Sequence, residues 1–164
     1  MNDNGFGLRI RQLVSLTGST VKVVVEERFP GGRLVGGKYN PATHTITLFR
    51  DCIREQCIQL FGTENVLDQY AAIILAHELG HAQDPQLAQL AEQLASPVAS
   101  KREQRKIALK IEKNAWNFAC ALFPEWKQSA LCQEIAYQSL ADYYKAMAPD
   151  FAEARSTQKQ PASA

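Results

Sequence analysis

Residues 76–81 read Ala-His-Glu-Leu-Gly-His and contain the pattern H-E-x-x-H. The chain has three histidines, and two of them, His77 and His81, belong to this pattern. Residues four apart lie on the same face of a helix, so both imidazoles can bind one metal ion. Glu78 lies beside them, where its carboxylate can act as a general base toward water. The pattern therefore predicts a helix that carries two zinc ligands and the base of a hydrolytic enzyme.

A catalytic zinc ion usually has three protein ligands, so the site needs one more. The metzincin extension of the motif is excluded, because Asp84 and Leu87 stand where it requires Gly and His. No histidine follows His81 in the sequence, which favours a carboxylate as the third ligand. The acids between the motif and the predicted tail are Asp84, Glu92, Glu103, Glu112, Glu125, Glu134, Asp142 and Asp150.

Glu112 has the most suitable surroundings among these acids. One face of its predicted helix carries Ala108, Glu112, Ala115 and Ala119, at intervals of four, three and four. Small residues on both sides of the carboxylate, with Gly80 in the other helix, allow the two helices to approach closely. An acid within such an apolar stripe must be paired or bound to a metal. Glu112 is therefore predicted to be the third ligand.

The first third of the chain is rich in strand signals. Strands are predicted at 21–28, 33–39 and 43–49, and turns at Pro30-Gly31-Gly32 and Asn40-Pro41 separate them. Three consecutive strands with short turns favour an antiparallel meander. If 44–49 is an edge strand, an extended substrate can pair with it.

The remainder of the chain has helical periodicity. Helices are predicted at 8–16, 51–61, 64–82, 86–95, 101–123 and 128–147. Thr63 is the expected N-cap of the motif helix, and Gly62, Asp84-Pro85 and Pro124 are the expected stops. We therefore expect one α+β domain over residues 1–150, with a small antiparallel three-stranded sheet packed on a helical bundle. Residues 151–164 are polar and small and predict a disordered tail.

Composition restricts the class of protein. The 164 residues include 18 Lys and Arg and 17 Asp and Glu, a net charge of +1, which argues against direct nucleic-acid binding. No apolar run approaches the roughly 20 residues that span a bilayer, and the first residues lack a secretory signal. A cytoplasmic location without membrane contact is expected. The four cysteines, Cys52, Cys57, Cys120 and Cys132, have no C-x-x-C spacing and are predicted to be small buried apolar residues.

Two segments together resemble the ImmA/IrrE family of zinc metallo-endopeptidases. The segment His77-Glu78-Leu79-Gly80-His81 is followed by Glu112-x-x-Ala115-x-x-Phe118-Ala119, with Leu122 and Pro124 soon after. Upstream, Tyr39-Asn40-Pro41 followed by Thr45-Ile46-Thr47-Leu48 is similar to the strand that precedes the active-site helix in that family. The resemblance covers about residues 20–125, and the sequence departs from the family at Asn114 and Trp116, where acids or Asn are frequent.

The resemblance implies a zincin-like fold and a gluzincin-like site with Zn²⁺ on His77, His81 and Glu112 and with Glu78 as the catalytic base. It implies an endopeptidase that cleaves a helix-turn-helix repressor, a separate chain, and so relieves repression. The alternative hypothesis is a non-catalytic zinc-containing module that sequesters such a regulator, for which Glu78 would be dispensable. The spacing of the five tyrosines singles out no oxyanion donor among Tyr39, Tyr70, Tyr137, Tyr143 and Tyr144, and the oligomeric state stays open.

Overall fold

A computed structural model describes residues 3–122 and 130–157 of the chain. Over these ranges the elements are α1 (Asp3–Leu16), β1 (Lys22–Glu26), a 3-10 turn (Pro30–Gly32), β2 (Gly37–Asn40), β3 (Thr45–Phe49), α2 (Arg50–Phe61), α3 (Leu67–Gln83), α4 (Leu87–Ala95), α5 (Lys101–Leu122) and α6 (Ala130–Thr157). Six helices and one small sheet confirm the predicted α+β class for the described residues. None of the described helices combines the length and the apolar character that crossing a bilayer requires.

The sheet has the order β1-β3-β2 and is mixed. Strand β3 runs parallel to β1, with Lys22 opposite Thr45, and antiparallel to β2, with Gly37 opposite Leu48. The predicted antiparallel meander is therefore wrong. The central position goes to the strand with the most apolar side chains to bury, since Ile46 and Leu48 of β3 are fully buried. The segment 27–36 carries the chain from β1 past β3 to the far edge of the sheet.

Strand β2, rather than β3, is an edge of this sheet. The prediction that 44–49 offers an open edge to a substrate is therefore wrong, because β3 has a neighbour on both sides. The position of β2 has a further consequence, since it packs against α3 at Ile74 and Glu78, from the middle of that helix towards its C-terminus. The free edge of the sheet thus lies beside the helix that carries the H-E-x-x-H motif.

The helix ends agree only in part with the ends predicted from local sequence signals. Helix α2 ends as predicted at Gly62, whose φ of 68° is left-handed and whose N–H donates to the Ile58 carbonyl. Thr63 is not the N-cap of α3, which begins four residues later, because its hydroxyl accepts the N–H of Asn65 and forms a local turn instead. Helix α6 continues to Thr157, beyond the predicted end near 147 and into the predicted tail.

Parts of the predictions fall outside the described residues. The expected helix stop at Pro124 and the tail residues 158–164 are among these. Of the four cysteines, Cys52, Cys57 and Cys132 are buried, which confirms the prediction for them, whereas Cys120 is partly exposed. The sulfur atoms of Cys120 and Cys132 lie 3.7 Å apart across the packing between α5 and α6.

Helix α3 forms the centre of the hydrophobic core. Its side chains are buried almost continuously from Tyr70 to Leu79, and it contacts α1, α2, α5, α6 and the sheet. A helix that is apolar on all faces is stable only when it is surrounded by other elements. Among the described residues, His77 and Glu78 are the polar side chains buried in this core. Two groups that cost free energy to desolvate therefore lie in the best-packed part of the fold.

Candidate metal centre

The packing of α3 against α5 sets the geometry of the site. A Cβ atom added to Gly80 would lie 2.5 Å from the carbonyl oxygen of Ala115 and 2.7 Å from its Cα atom. The two backbones are therefore in direct contact, and only glycine fits at position 80. Ala115 and Ala119 are buried on the same face of α5. This confirms the predicted close approach through small residues.

The close approach brings the three predicted ligands together. The Nε2 atoms of His77 and His81 lie 3.2 Å apart, and one oxygen of Glu112 lies 3.2 Å from Nε2 of His77. The other oxygen of Glu112 lies 3.8 Å from Nε2 of His81. Ligand atoms around a tetrahedral zinc ion are about 3.3 Å apart, given metal–ligand distances near 2.0–2.1 Å. The His-His-Glu group is therefore close enough to bind a metal ion, and its spacing fits one.

Burial favours the form of His81 that can bind a metal. Burial first, and then the neighbouring imidazole of His77, lower the pKa of His81 to about 4, although Glu112 and Asp84 act in the opposite direction. The ring is therefore neutral at physiological pH and keeps a lone pair for a metal ion. The side chain of Asp84, just past the end of α3, accepts a hydrogen bond of 2.9 Å from Asn114 of α5. This bond adds a second link between the helices that carry the ligands.

The ring of His77 is held by an aromatic stack. The indole of Trp116 lies over it with a centroid distance of 4.4 Å and an interplanar angle of 29°. The indole is itself held by α6, since its Nε1 donates to the hydroxyl of Ser139 at 3.2 Å. Nδ1 of His77 is buried and has no hydrogen-bond partner in the described part of the chain. The stack with Trp116 is therefore a contact that restrains the plane of the His77 ring.

The carboxylate of Glu112, on α5, interacts with side chains of two other helices, α3 and α6. Burial raises its pKa, but the hydrogen bond with His77, the two imidazoles and a hydrogen bond with Tyr143 of α6 outweigh burial, and the pKa is lowered overall. Burial, followed by the charge of Glu112 and the same hydrogen bond, raises the pKa of Tyr143 to about 12. At neutral pH the acid is therefore ionised and the phenol is neutral. Sequence reasoning considered Tyr143 only as one of five tyrosines.

Glu78 is buried beside the ligands, with 6% of its surface exposed. Burial raises its pKa to about 7, with a further increase from the charge of Glu112 and partial compensation by His77 and by the backbone N–H of Tyr39. A carboxyl group with a pKa near neutrality is suited to general acid–base catalysis. Its position depends on Gly37, because a Cβ atom there would lie 2.7 Å from Cγ of Glu78.

A cleft of about 840 Å³ opens onto these side chains. Its walls come from α3, from β2 with the segment before it, and from α4, α5 and α6, and it includes His77, Glu78, His81, Glu112 and Tyr143. Leu87 and Ala91 of α4 also line it. The predicted segment 86–95 therefore forms part of the wall of the cleft, packed on α5 through the buried Leu90.

The edge of β2 carries backbone groups toward this cleft. The N–H of Phe49 donates to the carbonyl of Gly36, which makes Gly36 and Phe49 a hydrogen-bonded pair. In an antiparallel ladder, hydrogen-bonded pairs alternate with non-hydrogen-bonded pairs. The pairs of Gly37 with Leu48 and of Tyr39 with Ile46 are therefore non-hydrogen-bonded, and the backbone groups of Gly37 and Tyr39 point away from β3. The N–H of Tyr39 is directed toward the side of Glu78 and is one of the groups that lower the pKa of that carboxyl. The N–H of Gly37 and the carbonyls of Gly37 and Tyr39 then face the edge where both residues line the cleft.

Comparison of the chain with family models, curated proteins and solved structures gave no match in any of the three.

Proposed function

We propose that this protein is a zinc-dependent endopeptidase with a gluzincin-like site on a zincin-like fold. The observation that carries the proposal is the meeting of His77, His81 and Glu112 at ligand distances beside the buried Glu78, in an open cleft. Two imidazoles and one carboxylate with room for a further ligand are the donor set of catalytic zinc sites in peptidases. A structural zinc site would be closed by four protein ligands, and the described residues bring only three together.

Each polar residue of the site has a role in peptide hydrolysis. A zinc ion bound to the three ligands supplies Lewis acidity toward a carbonyl oxygen and toward water. Glu78 accepts a proton from the attacking water and then gives it to the amine leaving group, for which a pKa near 7 is suitable. The neutral ring of His81 and the ionised carboxylate of Glu112 stay in the forms that bind metal.

The edge of β2 is the proposed binding strand for the substrate. An extended peptide can add to this edge, with its main chain paired to Gly37 and Tyr39 and its scissile bond near Glu78. The substrate class, a helix-turn-helix repressor on a separate chain, rests on the resemblance of His77–His81 and Glu112–Ala119 to the ImmA/IrrE family. Its cleavage would relieve repression. The alternative, sequestration of the regulator without cleavage, uses the same metal site and differs in its need for Glu78.

Cleavage by wild type and Glu78→Gln tests the proposal. Each protein is incubated with candidate helix-turn-helix repressors and with unfolded casein, and the fragments are followed by mass spectrometry. The substitution removes the base but leaves all three ligands, so we expect full zinc content and a loss of at least about 10²-fold in cleavage rate. Glu92→Gln, an exposed acid on α4, is the matched control and should cleave like wild type.

Two outcomes contradict the peptidase proposal. One is equal cleavage by wild type and Glu78→Gln. The other is a wild-type protein that binds a repressor tightly and yields no fragments from it, which would support sequestration instead.

A further inference from the structure

Strand β1 forms the second edge of the sheet, at the end opposite to β2. Within residues 3–122 and 130–157, β3 is the one strand that pairs with it. We propose that the outer edge of β1 binds the same edge of a second copy of this chain, so that two sheets join in a symmetric antiparallel dimer. The inference concerns a different edge from the one proposed for the substrate and does not depend on peptidase activity.

The backbone of β1 presents hydrogen-bonding groups at this outer edge. The N–H of Lys22 donates to the carbonyl of His44 at 3.1 Å, so Lys22 directs its backbone groups toward β3. Successive residues of a strand direct these groups to alternate sides. The N–H and C=O groups of Val23 and Val25 therefore point away from β3, and no backbone hydrogen bond joins them to another described segment. Such an edge is a template for another strand.

The sequence of β1, Lys-Val-Val-Val-Glu at residues 22–26, is complementary to itself in the antiparallel orientation. When two copies align about Val24, Val23 of each copy lies opposite Val25 of the second copy. These are the residues whose backbone groups face the edge, so both pairs exchange hydrogen bonds in both directions. Lys22 of each copy then lies opposite Glu26 of the second copy, in a non-hydrogen-bonded pair, where the side chains are closer together.

The charges at the two ends of β1 favour this orientation. Opposite charges directly across a strand pair stabilise it, and like charges destabilise it. A parallel pairing in the same register would place two Lys22 side chains together and two Glu26 side chains together. Both residues are exposed, and neither belongs to an ion pair among the described residues. Each therefore keeps its charge for a partner strand.

The valines of β1 supply apolar surface to the same edge. Val25 lies opposite Leu48 of β3, on the side of the sheet that faces α3. Leu48 is fully buried, whereas 41% of Val25 is exposed. In the dimer Val25 packs beside Val23 of the second copy, which covers part of this apolar surface. Pairing of one short strand makes a small interface, so we expect a weak and reversible dimer.

The dimer leaves both candidate metal centres accessible. The joined sheet has the order β2-β3-β1-β1-β3-β2, so the two β2 edges lie at its ends. The clefts that Gly37 and Tyr39 of β2 line are beside these ends. A second copy on β1 therefore does not compete with a peptide on β2.

Sedimentation velocity of the full chain over about 10 µM to 1 mM tests the proposal, a range suited to a small interface. Wild type should show a reversible equilibrium between monomer and dimer. Lys22→Glu and Glu26→Lys each place like charges opposite one another at both ends of the strand pair, so each variant alone should dimerise at least about 10-fold more weakly. An equimolar mixture of the two variants should dimerise like wild type, because every acid then faces a lysine.

Lys38→Glu is the matched control. Lys38 is exposed on β2, and both Lys38 and Val24 lie opposite Thr47, so the control makes the same charge change on the same face of the sheet at the far edge. It should dimerise like wild type. Far-UV circular dichroism shows whether each variant is folded.

Hydrogen exchange of wild type, followed by NMR, gives a measurement that needs no variant. The amides of Val23 and Val25 should exchange more slowly as the protein concentration rises, because pairing with a second copy protects them.

Four outcomes would overturn the inference. Wild type could remain monomeric over the whole range, or the exchange of the Val23 and Val25 amides could be independent of concentration. Lys38→Glu could weaken the dimer as much as Lys22→Glu, which would show a general effect of charge. The mixture of Lys22→Glu and Glu26→Lys could dimerise no better than either variant alone, which would exclude the antiparallel register.

Discussion

Replacing Glu78 by Gln should stabilise the metal-free protein at neutral and alkaline pH but leave its stability unchanged near pH 4.5. Burial raises the pKa of Glu78 from 4.5 to about 7. Between these values the folded state holds a proton that the unfolded state has lost, so the free energy of unfolding falls as the pH rises. The slope is about 1.4 kcal/mol per pH unit, and the total loss across the interval is about 3 kcal/mol. Gln carries no titratable proton and keeps an oxygen for the N–H of Tyr39.

His81 has the opposite effect on the stability of the wild-type protein. Its pKa is lowered from 6.5 to about 4, so between these values the unfolded state binds a proton that the folded state does not. The free energy of unfolding therefore rises with pH over this interval. The contributions of His81 and Glu78 largely cancel between pH 4.5 and 6.5 in wild type. The difference between Glu78→Gln and wild type removes the common contribution of His81 and isolates that of Glu78.

Urea unfolding in the presence of a chelator, followed by far-UV circular dichroism from pH 4.5 to 8.5, measures this difference. We expect a value near zero at pH 4.5 that grows to about 3 kcal/mol above pH 7.5 in favour of Glu78→Gln. Glu92→Gln, at an exposed position, should show no such trend. A stability difference that does not change with pH would refute the reasoning, because it would show that Glu78 titrates alike in the folded and unfolded states.

Four further predictions follow from the packing and the ligand set. Glu112→Ala should lose most of its zinc by metal analysis, because two imidazoles alone do not make a catalytic site; retention of full affinity would assign the third ligand to another acid. Gly80→Ala should lower the free energy of unfolding by roughly 1–3 kcal/mol in urea titrations, since the new methyl group meets the α5 backbone. Residues 84–100 should exchange amide hydrogens faster than α3, because α4 buries a single described side chain; equal protection would contradict this. Diamide should join Cys120 and Cys132, 3.7 Å apart, in a disulfide detected by peptide mapping, whereas other pairings would contradict the observed proximity.

The grouping of His77, His81 and Glu112 could be predicted because it depends on the residue spacing within two helices. The spacing of His77 and His81 places both rings on one face of any helix, whatever surrounds it. The small residues Gly80 and Ala115 predicted a close approach of the two helix backbones, and the structure places these residues in contact. Once the two helices are this close, Glu112 has few other positions available. Helical periodicity and residue size were therefore sufficient to predict that His77, His81 and Glu112 lie together.

The sheet order and the position of Tyr143 depend on contacts between distant parts of the chain. Periodicity marks a strand but does not say which strands are neighbours, and the predicted short turns at 30–32 and 40–42 suggested a meander. The competing factor was burial, which placed Ile46 and Leu48 in the middle of the sheet. Tyr143 lines the same cleft as Glu112 because α6 packs back on α5. No local pattern distinguished it from the other tyrosines.

Helix α3 has two requirements that oppose each other in free energy, which are apolar packing in the core and the burial of polar site residues. Helix α3 must be apolar on all sides to serve as the centre of the core, yet it carries His77 and Glu78 at low exposure. In the metal-free protein this burial holds His81 neutral and raises the pKa of Glu78 to about 7, and both shifts reflect the cost of desolvating charge. A cation bound between the two imidazoles and Glu112 would interact favourably with the carboxylates of Glu78 and Glu112, whose charged forms burial disfavours. Because only the folded chain brings these donors together, metal binding would stabilise the fold by mass action. In the metal-free protein the stack of Trp116 on His77, held by the hydrogen bond from Trp116 to Ser139, restrains one of these donors.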